Sequence, residues 1–148
     1  NIKNFGTLSP IPGFRDWFVN LDEKLVKNIL GNIPLENISF LKSSSLKIGD
    51  TRIISNKNAI YKLVAHYLMN EKNSKQLPIN DVCRFHLGNG AIIDDIVINA
   101  NISEVGFKRS FGVMVNYLYE LKNIEKNHEE YINKKTTIIS NKVKKLIQ

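Results

Sequence analysis

The sequence predicts an α/β domain of the α+β kind, with helices packed against a short sheet, and three patterns predict it. Apolar residues recur at three- and four-residue spacing after Gly13 and again from about Asn58 to Lys72. They alternate along Ile96 to Ile102 and along Val113 to Tyr119, as strands require. Between these runs stand proline, glycine and asparagine clusters that stop regular structure.

The first segment, strand-like from Asn1 and reading from Phe5 to Leu8 as the end of a strand, is closed by Ser9-Pro10-Ile11-Pro12-Gly13. Two prolines forbid both a helix interior and a central ladder, so a rigid turn must follow Ser9. Phe14, Trp17, Phe18, Leu21 and Leu25 then form one apolar helix stripe, with Gly31 and Pro34 marking its end. Ile38 to Ile54 carries mixed signals and is expected to be mostly loop, with room for one short helix or strand. In the next helix Ile60, Leu63, Val64, Tyr67 and Leu68 make the buried stripe, and the polar run Asn73 to Gln76 stops it. Asp81 to Leu87 reads as a short helix that delivers His86 into Gly88-Asn89-Gly90, a turn of residues that tolerate positive φ. The two alternating runs follow as neighbouring strands joined by a short polar connection. Leu121 to Ile132 and Ser140 to Ile147 close the chain as charged helices, Ser140 being suited to cap the second.

A chain of 148 residues, 43% hydrophobic, can bury one real core. No run approaches the roughly 20 apolar residues that cross a bilayer, and no signal-peptide pattern opens the chain, so the expectation is a soluble, intracellular protein with no membrane partner. The first residue is Asn within a strand-like segment, which implies that the chain starts inside a larger protein. Cys83, the single cysteine, excludes an internal disulfide framework and a cysteine-based zinc site. The formal charge of +7 raises the question of nucleic acid, but the lysines are scattered and their densest cluster, Lys134 to Lys145, lacks interleaved aromatics, so no nucleic-acid partner is expected. Neither the dinucleotide fingerprint nor the P-loop pattern occurs.

Three features can carry chemistry: the Ser9 turn, the segment Phe85 to Ala91 and the strand Val115 to Tyr119. Ser9 reads either as a hydroxyl that stabilises its own turn or as a reactive group that needs a base within reach. His86 is either a half-buried histidine fixing a turn or a proton-transfer group, for which an ordinary pKa of about 6.5 suits it. His66 and His128 read as structural or solvated, with no paired metal ligands nearby. Glu125, Glu129 and Glu130 read as a solvated helix face.

Four blocks in order, Phe5-Gly-Thr-Leu-Ser-Pro-Ile-Pro-Gly-Phe-Arg-Asp-Trp17, Ala65-His-Tyr-Leu68, Phe85-His-Leu-Gly-Asn-Gly-Ala91 and Ser110-Phe-Gly-Val-Met-Val-Asn-Tyr-Leu-Tyr119, resemble those of the malonyl-CoA decarboxylase family. The resemblance spans nearly the whole chain to about Tyr131. It implies the C-terminal part of a catalytic domain of acetyltransferase-like (GNAT) fold, a mixed sheet with flanking helices. It also implies decarboxylation of malonyl-CoA to acetyl-CoA and carbon dioxide, without metal or cofactor, because the coenzyme A thioester is itself the electron sink. By the same resemblance His86 is the proton donor to carbon, and Ser9 binds the malonyl carboxylate or relays the proton. Tyr119 would orient Ser9, with Asn89 and Asn116 as supporting substrate-binding groups. A homo-oligomer is implied for the complete protein, in the cytoplasm of a bacterium or the mitochondrial matrix or peroxisome of a eukaryote.

The pattern departs from the family after Ala91, most sharply at Asp95 and Ile98. The family's helical domain and its glycine-rich segment for the coenzyme A pyrophosphate precede the serine turn and are not in these residues. Three readings follow: an active decarboxylase represented by part of its chain, an inactive relic that keeps the fold, and another coenzyme A-dependent acyltransferase-like enzyme. A basic nucleic-acid-binding module is a remote fourth.

Overall fold

The computed structural model describes residues 3–148; Asn1 and Ile2, at the start of the strand-like segment, lie outside them. Three strands, β1 (Asn4–Pro10), β2 (Ile92–Val97) and β3 (Met114–Glu120), form a sheet in the order β1-β3-β2. Both pairings are antiparallel, so where the sequence reading expects a mixed sheet, the only parallel pairing among the described residues is the single bridge Ile93–Ile139. Along β3, Val115, Tyr117 and Tyr119 are buried and Met114, Asn116 and Leu118 are half-buried, so the strand's alternation sends one set into the helices and the other to the opposite face. Pro10 is tolerated in a ladder because β1 has no strand on its other side among the described residues.

Helices pack on the Val115–Tyr117 face. The stripe after Gly13 is two helices rather than the one its spacing predicts: α1 (Phe14–Val19) and α2 (Glu23–Leu30). Local hydrogen bonds outbid continuation of the helix. The Asn20 amide donates back to the Asp16 carbonyl at 2.8 Å, and the Asp22 carboxylate accepts the Lys24 N–H at 3.2 Å, capping α2. Within Ile38 to Ile54 there is one short helix, α3 (Thr51–Ser55), preceded by two 3-10 turns. The predicted second helix is α4 (Lys57–Asn70), whose Ile60, Leu63, Val64 and Leu68 are fully enclosed. Helix α5 (Asp81–Gly88) follows, starting at Asn80.

Two expectations shift after Ala91. The strand placed at Ile96 to Ile102 runs four residues earlier, at Ile92–Val97, because Asn99 turns into the left-handed region (φ 54°) and the Ala100 and Asn101 amides both donate to the Gly112 carbonyl. The polar connection contains helix α6 (Glu104–Ser110), capped by the Ser103 hydroxyl on the Gly106 N–H. Phe111, just past it, is left-handed (φ 55°), which costs a non-glycine about 1–2 kcal/mol. Its edge-to-face packing on Phe14, Phe18 and Phe107, at about 0.5–1.5 kcal/mol each, is enough to hold it there. The closing helices are α7 (Ile124–Lys134) and α8 (Asn141–Leu146), the latter capped by Ser140 as its sequence predicts. No described helix is long and apolar enough to cross a membrane.

Candidate active site

Ser9 lies at the end of β1, where strand register places it opposite Val115 and on the sheet face shared with Thr7, Tyr117 and Tyr119. The proline turn holds it: Pro12 accepts a hydrogen bond from the Asn80 amide at 2.9 Å, and Gly13 adopts φ 88° where a Cβ would meet the Tyr67 hydroxyl at 2.9 Å. Asn80 also caps α5, its side-chain oxygen accepting the Cys83 N–H at 2.9 Å. One buried asparagine thus ties the turn after Ser9 to the helix that carries His86.

Across that tie, Ser9 Oγ lies 3.2 Å from His86 Nε2. The other ring nitrogen, Nδ1, is 2.6 Å from the Tyr119 hydroxyl. Ser9 as a residue is buried (6% exposed), although a serine before two prolines is ordinarily a surface turn residue. The Tyr117 ring lies beneath the imidazole, centroids 4.5 Å apart and planes 20° from parallel. Phe5 stacks on Tyr119 at 4.7 Å, and Phe85, 63% exposed, meets His86 edge-on, so aromatic walls flank the pair.

Burial lowers the His86 pKa below the ordinary imidazole value, leaving the resting ring neutral near pH 7. Burial also raises the Tyr119 hydroxyl, which therefore keeps its proton there. A neutral imidazole donates from one nitrogen and accepts at the other. With Tyr119 donating to Nδ1, Nε2–H faces Ser9; the reverse arrangement makes Ser9 the donor. Either way the three groups form one hydrogen-bonded Ser–His–Tyr line along which a proton can pass.

The structure brings Ser9, His86 and Tyr119 together, but Tyr119 touches His86 and not Ser9, so it is the imidazole that it orients. Asn89 is elsewhere: its amide donates to the Phe85 carbonyl at the end of α5, and it is exposed. Asn116 alternates to the opposite sheet face, packed so closely over Gly6 that a Cβ there would sit 2.8 Å from its Oδ1. Neither joins the Ser9–His86 pair. Sequence reasoning missed Tyr117 and Asn80. Period-two spacing puts Tyr117 on the Tyr119 face, and Asn80 stands at the position of a helix cap, but nothing in the sequence says that these contacts converge on His86.

The remaining titratable groups do other work. Burial pushes the Cys83 thiol up to about 12, which leaves it unreactive at neutral pH. His66 stacks on Trp17 and lies 3.6 Å from Glu71, while His128 donates to the Gly88 carbonyl at 2.6 Å, bracing the turn after His86. Among the described residues no three His, Cys, Asp or Glu side chains cluster as a metal site would.

The profile of the family described as malonyl-CoA decarboxylase C-terminal domain matches residues 1–148. The chain is 29% identical to the mitochondrial malonyl-CoA decarboxylase of Mus musculus over 97% of its own length and 32% of that protein. It is 29% identical to the mitochondrial enzyme of Anser anser anser over 90% of its length and 30% of that one. It therefore spans about a third of the curated relatives it matches. Among solved structures it is similar to malonyl-CoA decarboxylase from Rhodopseudomonas palustris, with TM-score 0.80 and 31% identity over 97% of this chain and 33% of that one. It is similar also to that from Cupriavidus metallidurans, with TM-score 0.77 and 32% identity over 98% of this chain and 39% of that one.

Proposed function

The chain belongs to the malonyl-CoA decarboxylase family, and from that premise we propose that it supplies the catalytic pair for decarboxylation of malonyl-CoA to acetyl-CoA. The observation that carries this reading is the half-buried Ser9–His86 contact with Tyr119 on the far imidazole nitrogen. In this reading the chain is the C-terminal part of a catalytic domain of acetyltransferase-like fold. The coenzyme A pyrophosphate loop and a helical oligomerisation domain belong to the rest of the protein.

The chemistry follows from where charge moves. Free, the imidazole is neutral because burial disfavours its cation. A malonyl carboxylate seated against Ser9 brings a negative charge beside it, which raises the imidazole pKa again, so a proton is taken up with the substrate. The carboxylate-bearing carbon–carbon bond then breaks. Its electron pair passes into the thioester carbonyl as an enolate, and neutral carbon dioxide leaves. The Nε2 proton of the imidazolium moves to the α-carbon, returning His86 to its neutral form. One proton and one malonyl thioester give one acetyl thioester and one carbon dioxide. Ser9 holds the carboxylate by donating its hydroxyl, and Tyr119 accepts from Nδ1–H while the ring is charged. General acid catalysis of this kind contributes about 10²- to 10⁴-fold.

The test is acetyl-CoA formation from malonyl-CoA by the complete protein. Turnover that disappears in His86→Ala supports the reading. No turnover by the wild-type protein, with an intact fold, makes it a relic; consumption of a different thioester only with an added acyl acceptor makes it a transferase.

A further inference from the structure

We infer that Tyr117 is a positioning residue for His86, its ring face fixing the plane of the imidazole and favouring the protonated form that the reaction uses. The inference rests on the decarboxylase reading and adds to it a group outside the hydrogen-bonded line.

The two in-plane bonds, from Ser9 to Nε2 and from Tyr119 to Nδ1, hold the ends of the imidazole but leave it free to tilt about the line between them. The Tyr117 ring, 4.5 Å below and 20° from parallel, blocks that tilt. It is itself immobile, being 0% exposed in the central strand. The helix above matches it: Cys83 and His86 stand three residues apart on one face of α5. The thiol lies beside the Tyr117 hydroxyl, while the imidazole lies over the ring. Tyr117 thus underlies one full turn of the helix.

The same contact has an electrostatic side. The groups that face or brace His86 are Ser9 on β1, Tyr117 and Tyr119 on β3, Cys83 and Phe85 on its own helix, and Asn127, His128 and Tyr131 on α7 around Gly88 and Gly90. No carboxylate is among them, so among the described residues the cation has no anionic partner. A neutral aromatic face attracts a cation stacked on it. Burial holds the Tyr117 hydroxyl far from ionising, so the face stays neutral across the working range.

The experiment uses the complete protein with malonyl-CoA as substrate, and nuclear magnetic resonance titration of His86 in the same preparations. Tyr117→Phe keeps the ring and is expected to hold kcat within about threefold, with the His86 titration unmoved. Tyr117→Leu is expected to lose about tenfold or more in kcat with little change in KM, and to move the His86 midpoint down by about half a pH unit. Should the leucine variant fold poorly, a heavily fluorinated phenylalanine at position 117 keeps the shape and reverses the face charge. The His86 midpoint then falls with packing intact. An unmoved midpoint in the fluorinated protein, or a leucine variant with normal kcat, overturns the inference. Absence of turnover in the wild type strikes the decarboxylase reading instead, and the midpoints still decide the stack.

Discussion

At the scale of single residues, the Ser9–His86–Tyr119 line makes its members unequal, and substitutions should show it. Ser9→Ala and His86→Ala each remove a group in contact with the proposed reacting carboxylate or carbon, and turnover by the complete protein is expected to fall about 10²- to 10⁴-fold. Tyr119→Phe removes one hydrogen bond to a ring that becomes charged, about 1.5–3 kcal/mol, so a loss of roughly 10- to 100-fold is expected. A steady-state assay showing equal losses in all three would contradict that ranking. The pH profile carries a sign. Burial puts the free imidazole below its ordinary pKa, so kcat/KM should already decline above that lowered value. In the complex the substrate carboxylate raises it, so the alkaline limb of kcat should lie at higher pH. The opposite order of limbs would remove His86 as the proton donor. Ser9 and His86 stand at local signals, a double-proline turn and a glycine-asparagine-glycine turn, but those signals left a structural reading open for each, and only the family resemblance joined them as a pair. The place of Asn116 in a short motif says nothing about which sheet face it takes; one residue of alternation separates it from Val115 and Tyr117.

Elements decide whether those residues meet. Asn80 is the joint between the β1 turn and α5, and its two bonds can be separated. Asn80→Ala loses the helix cap and the donor to Pro12, for an expected destabilisation of about 2–3 kcal/mol; Asn80→Asp keeps the cap and should lose about half that in urea unfolding. Equal losses would mean that the helix cap contributes nothing. Gly90 is the second joint: φ is 91°, and a Cβ would come within 2.5 Å of the Ile124 carbonyl oxygen. Gly90→Ala should therefore lower stability by about 1–3 kcal/mol in a thermal melt and depress kcat, since the turn follows directly from His86. Helix α4, with a clean stripe and a polar stop, was readable from spacing, and α8 from its Ser140 cap. The break at Asn20 to Asp22 and the early strand at Ile92 were not. There a side-chain cap or a single left-handed Asn99 overrides a periodic pattern that continues past it.

At the scale of the whole molecule, β1 has helices on one face, while Leu8 on the other is 51% exposed. Its outer edge carries no strand among the described residues. Residues 1–148 expressed alone should therefore self-associate at micromolar concentration in sedimentation, and Leu8→Lys should suppress it. A monomeric wild-type segment would count against a sticky face. The architecture was legible as helices over a short sheet, but its strand order was not. No residue pattern states that the last strand lies between the first two, because that order is set by chain-distant packing of Tyr117 and Tyr119 over α5.

That strand order has a consequence during synthesis. The strand carrying Ser9 has its only described strand partner in β3, so its ladder cannot close until roughly a hundred further residues have been made, about 5–20 s at ordinary ribosomal rates. Of the described strands β1 is thus made first but paired only once β3 has followed, and Ser9 is held against His86 only after that. A chain arrested before Met114 would carry both residues without a strand to hold Ser9 in place.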